Sequence, residues 1–284
     1  MTNALASLGY CGLGLRNEFL DDLLYLNPKP IDFLEVAPEN WLDIGGKRGK
    51  LFRAYSEQYP IICHGLSLSI GGLQPIDVTF VQRLKQFFQT HKIQFYSEHL
   101  SYCSDEYGQL YDLMPMPFTE EAVSYIAKRI IQVQDILEQQ IALENVSYYA
   151  KMPGRLTEAE FINAVIEEAN CLLLLDVNNI YVNSVNHNYD PLIFLQKMPK
   201  KSVAYFHVAG HWQKSFDLII DTHGDKVIEP VWNLLDKAYE QFGLVPTLLE
   251  RDNDVPALDE LLSEVDDLKK IQYAYQKEYQ LYGS

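Results

Sequence analysis

Short apolar runs alternate along the chain with longer amphipathic stretches. Eight runs read as strands: 8–15, 31–37, 60–64, 93–98, 140–145, 171–177, 202–208 and 245–250. Several, such as CLLLLDV and IALEN, are almost continuously apolar, the pattern of parallel strands covered on both faces. Between them, apolar residues recur at helical spacing, most clearly over 78–91 (VTFVQRLKQFFQTH). Segment 119–139 opens TEEA, with acids where a helix N-terminus favours them. Segment 157–169 begins TEAE, a capping-box spacing, and 230–242 and 256–282 both start at proline, which suits a first helical turn.

Eight strands alternating with helices over 284 residues give about 35 residues per unit, the size of a βα repeat. The expected fold is α/β, a (β/α)8 TIM barrel. An open doubly wound sheet is the competitor, but it usually carries a glycine-rich turn after its first strand. Here GLGLR at 12–16 lacks the third glycine. No linker or low-complexity tract interrupts the chain, so a single domain over 1–284 is expected.

Acids outnumber bases 39 to 23, a net charge of −16, which argues against a nucleic-acid partner because a phosphate backbone rewards clustered Lys and Arg. No run approaches a membrane span, and the first residues carry no signal-peptide pattern, so a cytoplasmic protein without a membrane partner is expected. Cys11, Cys63, Cys103 and Cys171 form no CxxC pair and read as small buried hydrophobes in a reducing compartment.

From the third strand onward, most strands run into a histidine or a carboxylate: PIICH, IQFYSEH, QIALEN, CLLLLDVNN, SVAYFHVAGH and VPTLLE. In a barrel, these C-terminal ends meet at the mouth where active sites are built. Each residue alone has a structural explanation. His64 reads as a satisfied core histidine, Glu98, Glu144 and Glu250 as caps or ion-pair partners, and Asp176 with Asn178 and Asn179 as a turn. Six such coincidences at one end are harder to explain, because clustered buried acids and imidazoles are costly without a cation. A His, Asp and Glu set suits iron, manganese, zinc or cobalt better than magnesium or calcium.

Asp221-Thr222-His223 adds an Asp-x-His pair whose side chains share one side of an extended loop, the competing reading being a solvated loop. His211, four residues after His207, is a candidate second ligand or substrate contact. His187 in NHNYD is a candidate supporting or substrate group, with a surface loop as the equal alternative. Arg16 reads as an anion-binding group at the mouth, against a helix salt bridge as the default. His91 reads as a surface residue. No GxSxG or Walker A motif is present, and Cys63 and His64, adjacent on a strand, point to opposite faces.

The strings FLEVAPENW (33–41), HGLSLSIGG (64–72), SEHLSY (97–102), LMPMPFTEEA (113–122), ALENVSYY (142–149), LLLDVNNIYVN (173–183), FHVAGH (206–211), DTHG (221–224) and PVWNLL (230–235) together resemble one family. It is the multinuclear non-haem iron-dependent oxidative enzymes, formerly a domain of unknown function, to which the methanobactin-biosynthesis B protein belongs. The resemblance covers about 9–264 and implies a xylose isomerase-like TIM barrel with two or three metals at its mouth. It places His64, His99, Glu144, Asp176, His207, Asp221, His223 and Glu250 around the ions, with Glu98 a weaker candidate than His99 and Asn145 beside Glu144. Where the related apurinic endonucleases have a histidine three residues after the sixth-strand Asp, this chain has Asn179, a weaker ligand, which puts the third metal in doubt. Glu144, as a bridging carboxylate, His207 and Glu250 are the candidate catalytic residues.

The resemblance further implies iron as cofactor, dioxygen as oxidant, a cysteine-containing precursor peptide as substrate and a separate leader-binding partner protein. The alternative is a zinc- or manganese-dependent hydrolase or isomerase on the same barrel, endonuclease-like or sugar isomerase-like. A non-catalytic metal-binding protein is a third reading, which the intact ligand set counts against.

Overall fold

The computed structural model describes residue 5 and residues 8–282. In chain order its strands are β1 (Cys11–Gly14), β2 (Phe33–Val36), β3 (Ile61–Gly65) and β4 (Tyr96–His99), then a hairpin of β5 (Tyr102–Asp105) and β6 (Gly108–Met114). β7 (Ala142–Glu144), β8 (Leu172–Asp176) and β9 (Val203–Val208) follow, then a second hairpin of β10 (Trp212–Ser215) and β11 (Leu218–Ile220), and finally β12 (Thr247–Leu249). Leaving out the two hairpins, the remaining eight strands are parallel and close into a barrel in the order β1-β12-β9-β8-β7-β4-β3-β2. This is the (β/α)8 architecture that the repeat length predicts, with most strands shorter than their apolar runs and β3 shifted by one residue.

The helices are α1 (Gly46–Gln58), α2 (Val78–His91), α3 (Glu120–Leu137), α4 (Glu158–Ala169), α5 (Val177–His187), α6 (Pro191–Gln196), α7 (Glu229–Phe242) and α8 (Leu258–Tyr282). α2 buries Val81, Leu84, Phe87 and Phe88, one stripe at helical spacing, against outward-facing strand residues such as Cys63 and Tyr96. Thr157 and Glu160 close a reciprocal capping box at the start of α4.

Side-chain alternation builds the barrel interior in two levels. Phe33, Ile62, Phe95, Ala142, Leu174, Tyr205 and Leu248 form an inner apolar cluster. Two residues further along lie Glu35, His64, Ser97, Glu144, Asp176, His207 and Glu250. Because strand side chains repeat every second residue, each pair shares the inward face, with the apolar member deep and the polar member at the mouth. Gly12 serves the deep level: a Cβ there would come within 2.2 Å of the Phe33 ring. Gly12 of the first strand therefore makes room for a core aromatic.

Several elements depart from the sequence reading. Asn178 and Asn179 do not make a turn; they are the first turn of α5, because the Asp176 side chain accepts a hydrogen bond from the Asn179 amide at 2.7 Å and caps the helix directly at the strand end. α1 begins GKRGK, with too few apolar residues to give a periodic signal. The hairpins β5–β6 and β10–β11 are short, partly exposed insertions after β4 and β9, at the mouth end of the barrel.

Candidate metal centre

Strand register sets the candidate ligands side by side. His99 lies opposite Glu144, and Asp176 opposite His207. His64 Nε2 approaches Glu144 Oε2 to 2.7 Å and His99 Nε2 to 3.0 Å, while His99 Nε2 lies 3.2 Å from the same carboxylate oxygen. On the other side of Glu144, its Oε1 lies 3.8 Å from His207 Nδ1, which is 2.8 Å from Glu250 Oε2. His223 reaches Asp221 at 2.8 Å, Asp252 at 3.2 Å, Glu250 at 3.3 Å and Asp176 at 3.9 Å.

These side chains form three groups whose ligand atoms lie within 4.8 Å of one another: His64, His99 and Glu144; Glu144, Asp176, His207 and Glu250; and His223, Glu250 and Asp252. Glu144 belongs to the first two groups and Glu250 to the last two. Glu144 Oε2, Asp176 Oδ2, Asn179 Oδ1, His207 Nδ1, His223 Nε2 and Glu250 Oε2 are buried without a hydrogen-bond partner of proper geometry. Buried polar atoms are normally satisfied. Six unsatisfied ligand-type atoms, five of them on residues of these groups, are what cations would satisfy, so the donor set fits metal ions.

Without an ion, protons take the cation's place. Burial alone would raise the Glu144 carboxyl, but His64 and His99 hold it down to about 2. Burial lowers His99, yet Glu144 and Glu98 outweigh it and push it up to about 9. His207 and His223 are also raised, against burial, by Glu35 with Glu250 and by Asp221 with Glu250 respectively. Asp176 goes the other way, its carboxyl raised by burial and by the Glu144 charge.

The remaining sequence candidates surround these groups. Asn145 ties two strand ends together, donating to the Asp176 carbonyl at 3.0 Å and accepting from its amide at 2.9 Å. Asn178 donates to Asp221 at 2.8 Å and lies 2.7 Å from His211 Nδ1. His211 therefore supports Asp221 through Asn178 and does not join a ligand group. Asn179 donates to the Asn145 carbonyl at 3.1 Å and leaves its own amide oxygen free of partners. Glu98 turns to the Tyr96 hydroxyl, 3.0 Å away, and to the amide nitrogens of His99 and Leu68, and joins none of the three groups.

Two placements correct the sequence reading. Arg16 lines the mouth but pairs with Asp252, on the loop after β12, and donates to the Arg251 carbonyl at 2.9 Å; its partner is not on a helix. His187 lies in the last turn of α5, stacked at 4.0 Å on Tyr148 and 2.9 Å from its carbonyl, away from the cavity and not in a surface loop. His91 packs on Phe52 and Phe87.

The sequence reading missed Glu35, Asp252, Ser97 and Tyr205. Glu35 is buried and lies 3.1 Å from His207 Nε2; a charge inside the apolar run FLEV was the available signal. Asp252 carries no signal beyond standing two residues after Glu250. Ser97 and Tyr205 look like ordinary strand residues.

The mouth opens into a cavity of about 680 Å³, its rim including Arg16, Trp41, Arg48 and Asp112. That volume lies in the range of ligand pockets. The four cysteines are free and buried, and Cys103 reaches the cavity wall.

Residues 10–273 match the family described as the RiPP precursor modification enzyme MbnB/TglH/ChrH. A UPF0276 protein of Shewanella sediminis is 56% identical over 263 residues, covering 93% of this chain and 94% of its own. A UPF0276 protein of Pseudomonas aeruginosa PAO1 is 51% identical over 261 residues, 92% of each chain. Among solved structures, L-ribulose 3-epimerase matches with a TM-score of 0.61 at 12% identity, over 96% of this chain and 98% of that one. A xylose isomerase domain protein from Alicyclobacillus acidocaldarius matches with 0.60 at 14% identity, over 94% and 99%. At such identities these structures establish a xylose isomerase-like barrel and nothing about substrate.

Proposed function

Since the chain belongs to the MbnB/TglH/ChrH family of RiPP precursor modification enzymes, we propose that it oxidises cysteine residues of a ribosomally synthesised precursor peptide, using dioxygen and two or three iron ions. The observation that carries this reading is Glu144, whose two oxygens face two different ligand groups as a bridging carboxylate's would. His64 and His99 would hold one ion, Asp176, His207 and Glu250 a second, and His223 with Glu250 and Asp252 a third. Iron bound there would supply affinity for a cysteine thiolate and electron exchange with dioxygen.

The protein's own residues prepare that chemistry. Asn145 and Asn178 fix Asp176 and Asp221 at the ends of neighbouring elements. The unpartnered amide oxygen of Asn179 offers a neutral donor at the edge of the second group. The apolar level below the ligands closes the barrel and keeps water to the mouth side. The cavity is wide enough for a peptide side chain with its flanking backbone. Its acidic surroundings favour a neutral or basic segment, or delivery by a separate leader-binding protein. We place the reaction in the cytoplasm; no helix among the described residues is long and apolar enough to cross a membrane.

The test is anaerobic reconstitution with ferrous iron, followed by oxygen and a cysteine-containing precursor peptide. A mass change on the peptide cysteines that requires both iron and oxygen supports the reading. Metal-dependent hydrolysis or isomerisation with zinc or manganese and no oxygen consumption overturns it. Glu144→Ala should cut bound metal to less than half, and unchanged metal content would remove Glu144 from the bridging role.

A further inference from the structure

Beneath the two ligand groups that share Glu144, four hydrogen bonds run in series through the barrel. His64 Nδ1 lies 2.8 Å from Ser97 Oγ, and Ser97 Oγ lies 2.6 Å from the Tyr205 hydroxyl. The Tyr205 hydroxyl lies 2.8 Å from Glu35 Oε2, and His207 Nε2 lies 3.1 Å from that same oxygen. All five residues are at most 5% exposed. The chain begins at a histidine of the first group and ends at a histidine of the second.

One member fixes the direction of every bond. The Glu35 carboxylate can only accept. Tyr205 must therefore donate to it, and a neutral His207 must carry its proton on Nε2. Having given its single proton to Glu35, Tyr205 accepts from Ser97. Ser97 in turn accepts from His64, which must carry its proton on Nδ1. The Cys63 carbonyl, the competing acceptor for Ser97, is more distant at 3.4 Å.

The lone pairs then fall on the other ring nitrogens. These are His64 Nε2, 2.7 Å from Glu144, and His207 Nδ1, 2.8 Å from Glu250. They are the nitrogens that face the two ligand groups. We propose that Glu35 is a positioning residue that sets the tautomers of both histidines at once, directly for His207 and through Tyr205 and Ser97 for His64. A metal-ligating histidine commonly donates its second N–H to a carboxylate, and loss of that partner weakens metal binding. Here one carboxylate serves two imidazoles on different strands, so one side chain readies both groups.

Both bonds enter one oxygen, Glu35 Oε2. An amide oxygen also has two lone pairs. Glu35→Gln, with its oxygen in that place, can therefore still accept from Tyr205 and His207 and keep both tautomers. Glu35→Leu accepts from neither and releases both histidines at once.

The proposal rests on the metal-centre part of the proposed function alone. Its test therefore uses neither peptide nor oxygen. Metal-free protein is titrated anaerobically with cobalt(II), reading affinity and visible absorption for each site, with His99→Ala identifying the first group. Metal-free melting temperature is recorded alongside. Glu35→Leu should weaken both groups by about 10–100-fold, and Glu35→Gln should weaken them less. Tyr205→Phe and Ser97→Ala should weaken only the group containing His64 and leave the His207 group unchanged. If Glu35→Leu does not fold, those two variants carry the test. Wild-type affinity at both groups in the folded Glu35→Leu, Tyr205→Phe and Ser97→Ala variants, or an equal loss at both groups in Tyr205→Phe, overturns the proposal; a lower metal-free melting temperature with unchanged affinities shows a purely structural role and also overturns it. A wild-type protein that binds no cobalt at all overturns the metal-centre reading as well.

Discussion

Phe33 and Glu35 stand two residues apart on one strand and both point into the barrel, yet they obey opposite constraints. Phe33, with Ile62, Phe95 and Leu174, fills the deep level and is satisfied by contact alone. Glu35, with His64, Glu144 and Asp176, occupies the level above, where burial penalises every charge. The deep level stabilises the barrel whatever is bound. The upper level is stable only when cations or protons balance its carboxylates. Fold and chemistry are thus separated by one step of the strand pleat, and each level can be perturbed without the other.

The largest effect should come from the deep level. Phe33→Ala leaves a void that Gly12 opposite cannot fill, and should cost about 3–5 kcal/mol. Urea denaturation should show the same loss in metal-free and metal-loaded protein, while metal affinity in the folded variant changes by less than about threefold. A loss confined to the loaded form would tie the two levels together and dissolve the contrast.

The upper level should show itself in pH. His99 is raised from 6.5 to about 9 in the metal-free fold. Its contribution is fully present below about pH 6.5 and is lost as pH rises through 9, on the order of 3 kcal/mol. Glu144, depressed to about 2, contributes above about pH 4.5 and loses that contribution as pH falls through 2. Metal-free protein should therefore be most stable between those limits and should melt progressively lower toward pH 9.5. Loaded protein should stay flat on the alkaline side, because ions replace the protons. Parallel alkaline profiles with and without metal would contradict this account.

Chelation at neutral pH comes next. Each ion at a hundredfold excess over its dissociation constant adds roughly 2.7 kcal/mol. Removing the ions should lower the melting temperature but leave the barrel folded at room temperature, since the deep level is intact. Loss of the far-ultraviolet circular dichroism on chelation would show that the deep level cannot sustain the barrel alone.

How much of this was readable from the chain follows the same division. The eight strands announce themselves because a parallel strand covered on both faces is a run of apolar residues, as in CLLLLDV. The candidate ligands at the strand ends stand out because a histidine or carboxylate breaks such a run. Glu35 also breaks its run, but it stands inside FLEV and not at the run's end, where the other candidates stand. The roles of Ser97 and Tyr205 have no local signature; a serine and a tyrosine in strands become a relay only when β4, β9 and β2 face one another across the barrel. α5 was hidden because Asp176 serves as strand end, ligand candidate and helix cap together, leaving no loop to mark the boundary. The hairpins β5–β6 and β10–β11 were missed because short exposed strands carry little hydrophobic contrast.

The smallest effect predicted is at Cys103, and it tests whether the reacting thiol belongs to the substrate alone. Among the enzyme's four cysteines it is the one that reaches the cavity wall. Burial pushes its thiol up, with the Glu98 charge adding to the effect. It therefore stays protonated near neutral pH, whereas a thiolate is the metal ligand and nucleophile. Its Sγ sits 3.3 Å from the Leu66 carbonyl, a weak hydrogen bond that a serine hydroxyl can replace. Cys103→Ser should change stability by less than about 1 kcal/mol. Bound metal and peptide product should be unchanged, as they should for replacements of Cys11, Cys63 and Cys171, which lie in the strand and helix packing away from the mouth. Mass spectrometry of the peptide after turnover by the Cys103→Ser protein decides the matter. A missing modification, with metal content intact, would mean that the enzyme's own thiol takes part in the reaction.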